Sequence, residues 1–192
     1  DELIATCNTI RENGYDPIAI GDKDGWPAVI LCGDYYAQQT ADYGELNKIL
    51  TGEDTFPGNE VFRNAFATVV ELGQNGAYMS GFSSTDHNTA IQAFAAGQTA
   101  MLANGPWMIG DFSDTSMAEE GFADKVGVAL FPGNFVYDAP IQGYIVTKQD
   151  DPKVEEAAIE MVKFFTSAEA QQTAMEMQGM VPASNTVELT DT

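Results

Sequence analysis

The chain has 192 residues, 44% hydrophobic and 19% charged, and its 29 Asp and Glu against 8 Lys and Arg give a formal net charge of −21. This composition is globular rather than disordered, and a domain of this size buries about 70% of the surface its unfolded chain exposes, enough for a real core. So acidic a chain repels phosphate backbones and anionic lipid, which argues against nucleic acid or a membrane surface as partner.

The acids are scattered and form no block, the pattern of a solvated acidic surface. No apolar run approaches the roughly 20 residues that span a bilayer. No basic stretch followed by an apolar run opens the chain, and a processed chain would look the same. Cys7 and Cys32 lack the spacing of a zinc site. They form either one disulfide or two buried thiols, and the apolar residues around both favour thiols.

Helices and short strands alternate along the chain. Residues 2–13 place Leu3, Ile4, Cys7 and Ile10 on one helical stripe, and Gly14 is placed to stop that helix in a left-handed cap. The segment "DPIAIG" reads as a buried strand, and "DKDGWP" as a turn with Pro27 opening a helix over about 28–39. Residues 41–58 read as looser chain, with "LTGEDTFPGN" a loop. Asn59 caps a helix striped by Phe62, Ala65, Phe66, Val69, Val70 and Gly73. A helix over 87–96 ends at Gly97, "QTAMLA" is a strand, and Pro106 starts a short helix with Asn104 or Gly105 as cap. Further strands are expected at 126–130 and 141–147. Asp151 caps a helix running from Pro152 to about Phe165, and Ser167 caps another that ends at Gly179. The fold class expected is α/β, with helices packed on a mixed sheet.

In open α/β sheets, ligands sit at the carboxyl ends of the strands. Both tryptophans occupy such turns, in "GDKDGWP" and "NGPW". A helix start leaves N–H groups free and carries partial positive charge. An indole fixed there suits a sugar, whose C–H face stacks on an aromatic while its hydroxyls take hydrogen bonds. Gly105 keeps the approach to Trp107 clear of a side chain. The local residues alone leave Trp107 open between this role and a place in the core.

Other chemistries find little support. The one histidine, His87, stands beside Asp86, but no G-x-S-x-G turn accompanies it. No facing carboxylate pair is singled out among the acids. Asp22–Gly25 resembles the start of a calcium loop, but its glycine comes too early and Gly33 stands where the bidentate Glu belongs. Met175, Met177 and Met180 read as core filler rather than a soft-metal box. No catalytic residue, metal or cofactor is expected.

The stretch "AIQAFAAGQTAMLANGPW" resembles the signature of family 1 extracellular solute-binding proteins of sugar ABC transporters, the relatives of maltose-binding protein. That pattern is a phenylalanine, two residues, Gly-Lys/Gln-x-Ala-Met, a few residues, then Gly-x-Trp. Phe94, Gly97, Gln98, Ala100, Met101, Gly105 and Trp107 match it. "PIAIGDKDGWP" resembles the family's segment before its middle helix, "VGVALFPG" its strand leading to a Pro-rich loop, and "IQGYIVTKQDDPKVEEAAIEMVKFFTSAEAQQTAMEMQGMVPA" its return segment, and the matches follow the family's order over most of residues 1–184.

The resemblance implies a periplasmic-binding-protein-like (type II) receptor whose two lobes close on a saccharide outside the membrane and hand it to ABC permease subunits. Its bearer is periplasmic or extracellular, and a cell-surface lipoprotein would carry its lipid anchor outside this chain. The chain resembles the carboxy-terminal lobe of an incomplete bilobal protein. Residues 1–144 would form that lobe, and 145–192 a crossover with two helices that packs on the amino-terminal lobe. Trp107 matches the family's stacking tryptophan. Gln142, Gly143 and Tyr144 match the crossing between lobes, where the family usually has Gly-Gly, so Gln142 departs from it and offers an amide to hydroxyls. Trp26 stands on the family's Asp/Asn-Gly-Trp turn, and Tyr36, Asn104 and Asp86 complete the ligand-binding candidates. The alternative is a carbohydrate-active enzyme or its non-catalytic sugar-binding module.

Overall fold

The computed structural model describes residues 2–40, 42–113, 116–132, 143–178 and 180–189. The chain divides into two compact units. One comprises Asp1–Asn104 with Thr115–Tyr137, the other Gly105–Asp114 with Asp138–Thr192.

The first unit opens with α1 (Glu2–Glu12), stopped by Gly14 at φ 87°. There β1 (Asp16–Ala19) begins, and it pairs in parallel with β2 (Thr99–Leu102) in the register Asp16 to Thr99 and Ile18 to Met101. On the other side of β1, Ile18 donates to the Ala77 carbonyl at 3.0 Å and accepts from Met79 N–H at 2.8 Å. Arg11 ties the end of α1 to this edge. Its Nε donates to the Gly76 carbonyl at 2.5 Å, its Nη2 to the Tyr78 carbonyl at 2.6 Å, and its Nη1 pairs with Asp16 at 3.1 Å.

Helices α2 (Trp26–Gln39), α3 (Gly44–Leu50), α4 (Glu60–Gln74) and α5 (His87–Ala95) complete this unit. α4 starts where Asn59 Oδ1 accepts from Phe62 N–H at 3.2 Å, the capping bond that satisfies an orphan donor. α2 packs on α4, and α5 on both strands. The core gathers Cys7, Ile18, Ile20, Leu31, Cys32, Tyr36, Phe62, Ala65, Val69, Leu72, Ala77 and Tyr78. Both cysteines are free, buried thiols. Burial pushes the Cys32 thiol up to about 11 and raises Cys7 as well.

The second unit holds a 3₁₀ turn (Pro106–Met108), α6 (Ile109–Ser113), α7 (Pro152–Phe165) and α8 (Ala168–Gln178). α8 packs against the turn, α6 and α7. Met108 and Met175 are buried. The Asp151 carboxylate caps α7 through Lys153 N–H at 2.9 Å, and Ser167 Oγ accepts from Ala170 N–H at 3.3 Å.

Several expectations need correcting. The sheet among the described residues is parallel and two-stranded, not mixed. Residues 126–130 and 143–147 join no ladder, and Val128 and Ile145 are exposed, because a strand needs a neighbouring edge to pair with. Residues 141 and 142 lie outside the described residues. Residues 44–50 form a helix where looser chain was expected. The buried stripe of α4 runs Phe62, Ala65, Val69 and Leu72, leaving Phe66 and Val70 exposed. Met177 and Met180 are exposed, so only Met175 fills core.

Candidate functional site

In the first unit, β1 feeds the Gly21–Gly25 turn into α2. A methyl carbon at Gly21 would lie within 3.0 Å of the Asp86 carbonyl and 2.8 Å from His87 N, so only glycine lets the two segments approach. Asp22 N–H donates to Phe82 O at 3.0 Å, and Lys23 N–H to Thr85 O at 3.1 Å. Asp22 Oδ1 accepts from Ala28 N–H at 3.0 Å, which ties this carboxylate to the start of α2. No group of three or more His, Cys, Asp or Glu side chains able to hold a metal occurs among the described residues.

This lacing brings the first residues of α2 and α5 together. The Trp26 and His87 rings lie 4.4 Å apart between centroids, tilted by 59°. Trp26 keeps 39% of its surface exposed. One side of the indole is therefore packed on protein while the rest is exposed.

The other candidates of this unit fare differently. Asp86 caps α5: Oδ1 accepts from Thr89 N–H at 3.0 Å and Oδ2 from the Thr89 hydroxyl at 2.9 Å. The Thr89 backbone bond first, and its hydroxyl second, hold the Asp86 carboxyl below its usual range. Tyr36 is a core residue, a correction to its place among the ligand candidates. It is 7% exposed, packs against Phe62 at 4.6 Å, donates to Asp42 O at 3.1 Å and accepts from Leu46 N–H at 3.3 Å. Its hydroxyl is spent inside the fold. Asn104 is half-buried just after β2. Asp34, half-buried on α2, has its carboxyl pushed up to about 6 by burial alone. The same cause comes first for Tyr35, at about 12, with the Asp34 charge next.

In the second unit, Trp107 stands in the 3₁₀ turn with 41% of its surface exposed, while its neighbour Met108 is buried. Met108 N–H donates to the Gly105 carbonyl at 3.1 Å, which closes the turn. A methyl carbon on Gly105 would fall within 3.0 Å of Cε3, Cζ3 and Cη2 of the Trp107 ring. The benzo edge of the indole thus rests on the bare Gly105 backbone. Gly143 is exposed. Tyr144, also exposed, stacks on Phe165 with centroids 5.4 Å apart and planes 11° from parallel. Gln142 lies outside the described residues.

Sequence reasoning missed three relationships: the indole seated on Gly105, the Trp26–His87 pair and the Tyr144–Phe165 stack. The first was encoded in the two-residue spacing of Gly105 and Trp107. The other two join residues 61 and 21 positions apart, and no local pattern announces them.

A model of the bacterial extracellular solute-binding proteins matches residues 2–192. An uncharacterized ABC transporter extracellular-binding protein of Pyrococcus horikoshii is 28% identical, over 95% of this chain and 39% of its own length. Among solved structures, one from work on xylan utilization by the thermophilic bacterium Caldanaerobius polysaccharolyticus is similar at a TM-score of 0.74 and 20% identity, covering 99% of this chain and 49% of that one. A chitin oligosaccharide binding protein is similar at a TM-score of 0.71 and 19% identity, covering 99% and 47%. The chain thus spans less than half the length of these relatives, and the structural likeness shows a shared fold, that of part of a type II periplasmic-binding-like protein. The family is one of binding proteins, not an enzyme class. The chain belongs to the bacterial extracellular solute-binding protein family.

Proposed function

We propose that this chain supplies the carboxy-terminal lobe of a receptor that captures a saccharide outside the membrane and delivers it to the permease of an ABC transporter. Trp107 is the platform for the sugar's C–H face, and Gln142, Gly143 and Tyr144 supply hydrogen bonds around it. The observation that carries this reading is the indole of Trp107, exposed at a turn that Met108 anchors. A seated, exposed aromatic meets the demand of a pyranose for an apolar platform under its C–H face. The two solved structures support the ligand class, since one is named for chitin oligosaccharide and the other comes from work on xylan. Residues 145–192 belong, on this reading, against the amino-terminal lobe. The apolar face of α7, where Val154, Met161 and Phe165 are exposed, supports that placement.

A panel of mono- and oligosaccharides, including xylo- and chito-oligosaccharides, tests the proposal on the full-length receptor by thermal shift. At least one saccharide is expected to raise the melting temperature, since a ligand that binds only the folded state stabilises it. Incubation with the same saccharides is expected to release no cleaved product. A panel without any stabilising saccharide, or sustained cleavage, would reject the reading.

A further inference from the structure

Gly105 stands two residues before Trp107 and lies outside the left-handed backbone region that glycine alone enters readily, unlike Gly14, Gly25, Gly52, Gly76, Gly81, Gly97 and Gly121. The backbone there accepts any L residue. What a side chain would meet is the indole: a methyl carbon would sit 2.6 Å from Cε3 and within 3.0 Å of Cζ3 and Cη2. Those atoms are the far end of a side chain with two rotatable bonds, so the ring rather than the backbone would yield. Gly21 makes the opposite case, because a methyl carbon there would run into the backbone of Asp86 and His87.

We infer that Gly105 is a positioning residue, a seat that fixes the direction of the Trp107 indole. The inference rests on the proposed saccharide role of Trp107 for its effect on affinity, but not for the seat itself. A methyl group at this position swings the ring out of its rest and leaves the fold intact. A saccharide then meets an indole that must be driven back against that methyl, or binds without it. Binding is weakened because the platform is no longer preorganised.

The test is Gly105→Ala in the full-length receptor, read in two ways. In the receptor carrying Trp26→Phe, the emission that is lost on adding Trp107→Phe belongs to Trp107, and this difference, with its acrylamide quenching, reports the ring without any ligand. Gly105→Ala should shift the emission and change quenching while moving the melting temperature by no more than a few degrees. An unchanged emission and quenching would overturn the seat, whatever the sugar does. In the second arm, calorimetry with xylo- and chito-oligosaccharides should show roughly a fivefold or greater loss of affinity for Gly105→Ala, the size expected from driving a side chain off its preferred rotamer. That loss should vanish when Trp107→Ala is already present. A loss that persists in the Trp107→Ala background would show that Gly105 acts through something other than the indole, and would overturn the inference. If Trp107→Ala alone leaves affinity unchanged, the saccharide reading fails, and the fluorescence arm still decides the seat.

Discussion

Asp86 holds Thr89 with both carboxylate oxygens, one on the backbone N–H at 3.0 Å and one on the hydroxyl at 2.9 Å. This closes the first turn of α5, the helix whose start also carries His87 beneath Trp26. The carboxyl is held below its usual range, chiefly by the Thr89 backbone bond. Its stabilisation is therefore present above the unfolded carboxyl value, about 3.9, and is lost as pH falls through the lower folded value. Asp86→Ala should lower the melting temperature at pH 7, and the gap to the native chain should narrow at acid pH. A gap that stays constant with pH would show that the charge contributes nothing.

Tyr36→Phe tests the reassignment of that residue to the core. The substitution keeps the ring against Phe62 but abandons the Asp42 carbonyl and the Leu46 N–H. Leaving such groups unmet should cost about 1–3 kcal/mol in denaturant unfolding. Saccharide affinity should not change, and a specific loss of affinity without loss of stability would return Tyr36 to the ligand site.

Asp34 works in the opposite sense to Asp86. Burial pushes its carboxyl up to about 6, so the folded chain keeps the proton where the unfolded chain has lost it. Stability from this group is full at low pH, falls between about pH 4 and pH 6 and is flat above. Asp34→Asn should therefore match the native chain near pH 4 and exceed it at pH 7 by about 1 kcal/mol, a figure discounted because the side chain is only half-buried. Equal stability of the two chains at both pH values would contradict the burial argument.

Local physics made much of both units legible. The Asn59 cap, the Gly14 stop and the Pro152 start after Asp151 act within a few residues, and the structure uses all three. The fold class followed from the alternation of these elements. The strands expected at 126–130 and, within the described residues, at 143–147 failed because an apolar run states only that a residue prefers burial. Whether it joins a sheet depends on an edge elsewhere in the chain. Phe66 and Val70 failed for a related reason. An apolar stripe marks one side of α4, but the neighbouring elements set how wide the covered part is. At the candidate site, the turn that carries Trp107 was legible because Pro106 and the glycine before it are local signals. Tyr36 was not, because a tyrosine on a helix reads the same whether its hydroxyl meets solvent or the Asp42 carbonyl.

The saccharide role of Trp107 is most directly tested by calorimetry on the full-length receptor carrying Trp107→Ala, titrated with the oligosaccharide that stabilises the native protein best. Loss of a stacking aromatic at a binding site predicts a drop of roughly 1–3 kcal/mol or more, which is tenfold or greater in affinity. An affinity equal to that of the native receptor, in a variant with native melting behaviour, would contradict the assignment.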